Sequence, residues 1–271
     1  MEPARRRFMK GLSERAAAGG VNRPRPCPPF LLLVVISLSM WCLFMRPGHA
    51  LALSSGQPKA AEETGEETRV KKGGSSELDE VVRLLQERYD NTVDISANFR
   101  QKTFALGEEQ AVEAEGRVWF KRPELMRWEY ERPEKKLIVT SGTDVYLFEQ
   151  EVNQVTVISR QRFLNSEISR AFFCGKGRLK EFFRIELACE DGDAEGRCWT
   201  LRLVPKRQAP NLKELILRLD SRSHLIEEVT LFDQLGGRTV IQFSQIKVNQ
   251  HVPDSLFRFT IPAGAEVFRL D

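Results

Sequence analysis

Apolar residues recur along this chain with two different periods. Leu78, Val81, Val82, Leu84, Leu85 and Tyr89 stand three and four residues apart, a single stripe that predicts an amphipathic helix over about 77–89. Ser76 precedes it with Asp79 three residues on, the spacing of a capping box. Beyond Tyr89 the period is two. Ile95, Ala97 and Phe99 alternate with polar residues, as do Phe183, Ile185 and Leu187, then Leu201 and Leu203, then Leu215, Leu217 and Leu219. The pattern runs on through Leu225, Val229 and Leu231, through Ile241 and Phe243, and through Phe257, Phe259 and Ile261. Successive strand residues point to opposite faces, so these are strands with one apolar face each. Ser141-Gly142, Asp191-Gly192, Gly236-Gly237 and Pro262-Ala263-Gly264 mark turns between them. Roughly ten strands with short connections predict an antiparallel meander. Residues 160–182 interrupt it with a stretch that reads as two helical pieces broken near Gly175 and Gly177. The fold class is α+β: a strongly curved antiparallel sheet, an incomplete β-barrel, covered by a few short helices.

The stretch GRVWFKRPELMRWEY, residues 116–130, departs from simple alternation. Val118 and Phe120 share one parity and Trp119 takes the other. Past the Lys121-Arg122-Pro123 break, Met126, Trp128 and Tyr130 share a parity with Leu125 opposite. A sheet of about ten antiparallel strands twists and curls. Helices that fill its concave side make an ordinary core; helices that do not fill it leave an apolar pocket. The pattern by itself leaves both outcomes open.

The segment before the helix has its own organisation. Arg5, Arg6, Arg7, Lys10, Arg15, Arg23 and Arg25 precede an apolar run from Phe30 to Met45, followed by Ala50-Leu51-Ala52. The run is short for a membrane span and suits an export signal cleaved after Ala52; an uncleaved anchor is the alternative. RRRFMK resembles a twin-arginine motif but lies far from the apolar run, and a misassigned start codon accounts for it equally well. Trp41 before Cys42 does not fit a lipidation site. Residues 53–76, rich in Gly, Ser and Glu, read as a disordered linker, leaving 77–271 as one domain. The charge changes meaning with this division. The whole chain has 41 Lys or Arg against 38 Asp or Glu; residues 1–52 hold eight and two, so 33 and 36 remain. The basic excess belongs to the leader, and nothing in the charge points to nucleic acid.

Catalytic and metal chemistry finds little support. His49 belongs to the leader; His224 and His251 lie in separate turns without metal-ligand spacing. No Gly-rich phosphate loop, nucleophile elbow or HExxH helix is present. The loop DGDAEG, 191–196, begins like a calcium loop but has Arg202 where a bidentate Glu is needed. No cofactor and no enzyme activity are expected. Cys189 and Cys198 flank that acidic turn, and export to an oxidising compartment predicts a disulfide between them. Cys174 is left over, as a buried thiol or a competing partner.

Residues 116–155 resemble the periplasmic outer-membrane lipoprotein carrier of the lipoprotein localisation system, the LolA family. The resemblance rests on Gly116, Trp119, Lys121-Arg122-Pro123, Trp128, Pro133, Ser141-Gly142, the Val145–Phe148 strand and Gln154-Val155, with Phe99-Arg100-Gln101 upstream and PDSLFRFTIPAGAEVF, 253–268, downstream. It implies a half-barrel with a helical lid and a cavity for the acyl chains of lipidated proteins. Val118, Trp119, Phe120, Leu125, Met126, Trp128 and Phe148 are the expected lining. The family often has Phe where Met126 stands. Arg122 is the expected lid lock, donating to backbone carbonyls in the 77–89 helix and around 168–174; without the resemblance it reads as a solvated turn arginine. The implied partners are lipidated proteins, an inner-membrane ABC-type lipoprotein-releasing complex and an outer-membrane lipoprotein acceptor, met by a periplasmic monomer. The runner-up is a periplasmic sensor or carrier of another envelope lipid on the same fold.

Overall fold

The stripe at Leu78 forms helix α1, Ser75–Asp90, which starts slightly earlier than its spacing predicts and takes Ser76 into its first turn. The computed structural model describes residues 75–164, 179–188, 198–207, 209 and 212–270. The export segment, nearly all of the linker, Cys174 and Cys189 lie outside them. Cys198 opens a strand, but the expected Cys189–Cys198 bond falls outside the described residues. Helix α1 buries Val81, Val82 and Leu85 against the sheet, with Leu78 and Tyr89 packed beside them. Its solvent side is charged: Arg83 lies 2.7 Å from both Glu80 and Glu87, one turn to either side.

The period-two segments form β1 (Asp94–Phe104), β2 (Val112–Lys121), β3 (Leu125–Arg132), β4 (Lys136–Ser141), β5 (Asp144–Glu149) and β6 (Gln154–Ser159). Helices α2 (Arg160–Leu164) and α3 (Leu179–Phe182) flank the undescribed part of the predicted helical interruption. Then follow β7 (Phe183–Ala188), β8 (Cys198–Pro205), β9 (Glu214–Asp220), β10 (Ile226–Phe232), β11 (Arg238–Val248) and β12 (Glu266–Leu270). They make one twelve-stranded sheet in the order β12-β6-β5-β4-β3-β2-β1-β11-β10-β9-β8-β7. The order is two meanders, β1–β6 and β7–β11, joined where β1 pairs with β11 from Ile95↔Val248 to Phe104↔Arg238. The ends do not meet, so the barrel is incomplete, and the α+β expectation holds.

The sheet differs from a pure meander in two places. Phe257, Phe259 and Ile261 form no strand. Asp254–Phe257 is a 3₁₀ turn between Pro253 and Pro262, two residues with no N–H for a ladder. This segment lies across the sheet, and its alternation points Phe257 and Phe259 down onto strands rather than into a strand pair. The chain then reaches the far edge, where β12 pairs with β6 in parallel, Glu266↔Gln154 to Leu270↔Ile158. A parallel neighbour needs a crossover, and residues 249–265 supply it.

Two irregularities bend the sheet. The β1–β11 register shifts between Ser96 and Asn98 opposite Gln245, whose φ is +51°, and Asn98 Nδ2 donates to Gln245 Oε1 at 3.1 Å across the step. The β2–β3 register shifts between Glu115 and Gly116. A Cβ on Gly116 would lie 1.9 Å from the Glu129 carbonyl oxygen, so only glycine lets the two backbones come this close. Bulges of this kind raise local twist and curvature.

Candidate functional site

The helix-covered, inner face carries one apolar layer across both meanders. Val118, Phe120, Met126 and Trp128 sit on it beside Ile138 and Leu147 in the first meander. Leu201, Leu203, Leu215, Leu217 and Leu219 continue it in the second. Over it lie Val81, Val82 and Leu85 of α1, Phe163 of α2 and Leu179 of α3. Trp128 centres an aromatic group: Phe99 meets it edge-on at 4.8 Å between ring centroids, Phe120 at 5.9 Å, and Tyr130 stacks at 6.4 Å. The Phe99-Arg100-Gln101 element has a structural meaning here. Phe99 packs on Trp128, and two residues on, on the same face, Gln101 Oε1 accepts a hydrogen bond from the Tyr130 hydroxyl at 3.2 Å. Burial raises the Tyr130 hydroxyl pKa, and does the same at Tyr89, whose oxygen accepts the Ile226 N–H at 3.0 Å.

The turn between β2 and β3 holds the covering elements. Arg122 Nη2 donates to the backbone carbonyl of Tyr89 at the C-terminal end of α1, and lies 3.9 Å from the Asp90 carboxylate. Its own N–H donates to the Val93 carbonyl at 2.9 Å. The last carbonyls of a helix lack intrahelical donors and carry partial negative charge, so a cation is stabilised there. Burial pulls the guanidinium below its usual pKa, and Asp90 opposes this. Of the two regions expected to meet Arg122, the first is in place and 168–174 lies outside the described residues. Two residues on, Glu124 lies 3.6 Å from Arg160 of α2. Lys121 faces the other way: its Nζ donates to the Val252 carbonyl at 2.6 Å and pairs with Asp254 at 2.5 Å. Three residues of one turn thus grip two inner helices and one outer segment.

The structure divides the seven expected lining residues between two faces. Val118, Phe120, Met126 and Trp128 are inner and fully buried. Trp119, Leu125 and Phe148 are outer and half-buried. Trp119 and Leu125 pack with Val139 under Val252 and Phe257, and Phe148 meets Phe259 at 5.9 Å. The outer segment is further held by Arg127 Nη1 donating to the Leu256 carbonyl at 3.0 Å, and by the Phe259 N–H donating to Ser141 Oγ at 3.2 Å. Both parities of 116–130 are apolar because both faces of these strands are covered.

A groove that the sequence did not announce opens on the outer face over the two bulges. It has a volume of about 850 Å³ and is lined by Asn98, Arg100, Glu115, Arg117, Arg218 and Gln242 among others. Its charged walls suit no hydrocarbon chain. No group of three His, Cys, Asp or Glu side chains able to hold a metal occurs among the described residues, and no described helix is long and apolar enough to cross a membrane.

An open, mostly antiparallel sheet whose apolar face is covered by short helices, one of them tied at its end by a turn arginine, defines a class of half-barrel folds. The family model for outer membrane lipoprotein carrier protein LolA matches residues 90–260. An outer-membrane lipoprotein carrier protein of Pseudomonas putida strain W619 is 31% identical over 191 residues, spanning 69% of this chain and 86% of that protein. One from Nitrosomonas europaea is 30% identical over 188 residues, spanning 69% and 88%. The chain belongs to the LolA family. Among solved structures, a LolA superfamily protein of N. europaea aligns with TM-score 0.37 at 13% identity over 67% of this chain and 97% of that one. An uncharacterized conserved protein of Thermus thermophilus aligns with TM-score 0.46 at 14% identity, over 71% and 98%.

Proposed function

We propose that this protein is a periplasmic carrier that takes up the acyl chains of lipidated proteins on the inner face of its half-barrel and conveys them from the inner to the outer membrane. The observation that carries the reading is the Arg122 contact with the Tyr89 carbonyl, which ties down the C-terminal end of the helix that covers an apolar face running through both meanders. Magnitudes support loading. Lifting α1 exposes Val81, Val82 and Leu85, at about 1.5–3 kcal/mol each, or roughly 5–9 kcal/mol together. An acyl chain of about a dozen methylenes returns about 0.8 kcal/mol apiece, roughly 10 kcal/mol, on entering the space the helix leaves. The two are close enough for cargo to enter and to leave. Arg122 is the lid lock in this reading, with Val118, Phe120, Met126 and Trp128 as the lining that cargo meets. An ABC-type releasing complex in the inner membrane loads the carrier, an outer-membrane lipoprotein acceptor unloads it, and the carrier works as a monomer. Purification from an osmotic-shock fraction, followed by mass spectrometry of the bound material, tests this. Lipoprotein or its acyl-bearing N-terminal peptide is expected; free phospholipid alone, or an empty protein, overturns it.

A further inference from the structure

Among the described residues, buried side-chain polar atoms of Arg88, Asp94, Arg122, Trp128 and Arg218 lack a hydrogen-bond partner, and of these residues Trp128 is the one set in the inner apolar layer. The indole is 0% exposed, set among Phe99, Phe120, Tyr130 and Phe243 and opposite Val118 and Ile138 on the neighbouring strands. Its Nε1–H is buried and has no acceptor among the described residues. The nearby polar groups have partners: Tyr130 gives its hydroxyl proton to Gln101, and Gln101 Nε2 donates to Thr103 Oγ1 at 3.2 Å. Buried donors are nearly always paired, and an unpaired one destabilises the state that contains it.

Cargo brings the complementary problem. An acyl chain is apolar along its length but begins at a carbonyl, and a carbonyl drawn into an apolar site without a donor is destabilised there for the same reason. We infer that the Trp128 indole N–H donates a hydrogen bond to the acyl carbonyl of bound cargo. The inference rests on the carrier reading and adds to it the point at which cargo is held in register. A carbonyl oxygen and the indole N–H are each uncommitted when apart and each satisfied when together, so the bond favours the loaded state without adding stability to the empty one. A phenylalanine would fill the same aromatic group with an apolar ring; it is the nitrogen that packing alone leaves unexplained.

The test compares two probes on the purified chain: a diacylglyceryl-cysteine peptide with ester-linked chains, and the same peptide with ether-linked chains that carry no carbonyl. Trp128→Phe keeps the ring and removes the donor. Its affinity for the ester probe is expected to fall about five- to tenfold further than its affinity for the ether probe, the weight of one net hydrogen bond. Equal losses for both probes would assign Trp128 to packing alone, and no loss for either would also overturn the proposal. A second measurement needs no variant. In the wild-type protein the Trp128 indole N–H resonance should move downfield with the ester probe and not with the ether probe, with Trp119 and Trp199 as internal references; an identical response to both probes sinks the idea. Should the wild-type chain bind neither probe, the carrier reading itself fails, an outcome distinct from binding without discrimination.

Discussion

Arg122 shows what one side chain contributes and what its neighbours hide. A guanidinium offers five donors in a fixed fork, and here one of them reaches the carbonyl of Tyr89 at the helix end. A charge-assisted bond of this kind contributes about 1.5–3 kcal/mol, so Arg122→Leu should shift the lid toward open by roughly ten- to a hundredfold. Cargo loading is then expected to persist while release to an outer-membrane acceptor slows, because closure no longer competes with bound acyl chains. Retention before and after adding acceptor reads this out; retention and release identical to wild type would leave Arg122 a turn residue. The Lys-Arg-Pro signature was legible in the sequence, while the helix it meets was suggested only by the family resemblance and the Tyr89 carbonyl itself was not marked. The opposite duty of Lys121 was not, because that contact depends on where residues 252–254 pass. Parity was equally plain and equally incomplete. It separates Trp119 from Trp128 but does not say which of two covered faces is the inner one.

At the scale of elements, the misread piece is Phe257, Phe259 and Ile261, in the outer segment that begins near Val252. Its Phe-x-Phe spacing imitates a strand, while Pro253 and Pro262 at its ends were the signal against one. Phe257 is 2% exposed over Trp119 and Val139. Phe257→Ala should therefore cost about 3–5 kcal/mol, seen as a lower urea midpoint. Because the segment lies on the face away from the lid, the lipid bound per folded molecule is expected to stay at the wild-type level. A loss of lipid that exceeds the loss of folded protein would show that the outer covering belongs to the binding site. Helix α1 and strands β1, β7 and β9 were readable from periodicity because each buries mainly one face. The parallel β12–β6 pair was not, because register between distant segments leaves no mark in local spacing.

For the whole molecule, pH reports how firmly the lid is bonded to the second meander and how firmly the first meander is bonded within itself. Tyr89 bonds α1 to β10, and Tyr130 bonds β3 to β1. Burial raises both hydroxyl pKa values above the ordinary range, so the fold requires them neutral. A raised folded pKa means the contribution is complete below the unfolded value near 10 and is lost as pH climbs beyond it, since only the unfolded chain ionises there. The two tyrosines together should remove up to about 2.7 kcal/mol per pH unit above 10. Urea midpoints at pH 9, 10 and 11 should show this, with Tyr130→Phe halving the slope. Tyrosinate absorbance from both residues near pH 10 in a still-folded protein would contradict it. The pairing of β1 with β11 has a consequence of another kind. Its partners stand between 134 residues apart, Phe104 with Arg238, and 153 apart, Ile95 with Val248. Contacts this distant in sequence are slow to find, because the intervening loop must close before they reward it. Until that seam forms, each meander is a separate half-sheet with its leucines and aromatics uncovered, and the folding chain passes through the very exposure of apolar surface that the finished protein keeps from water.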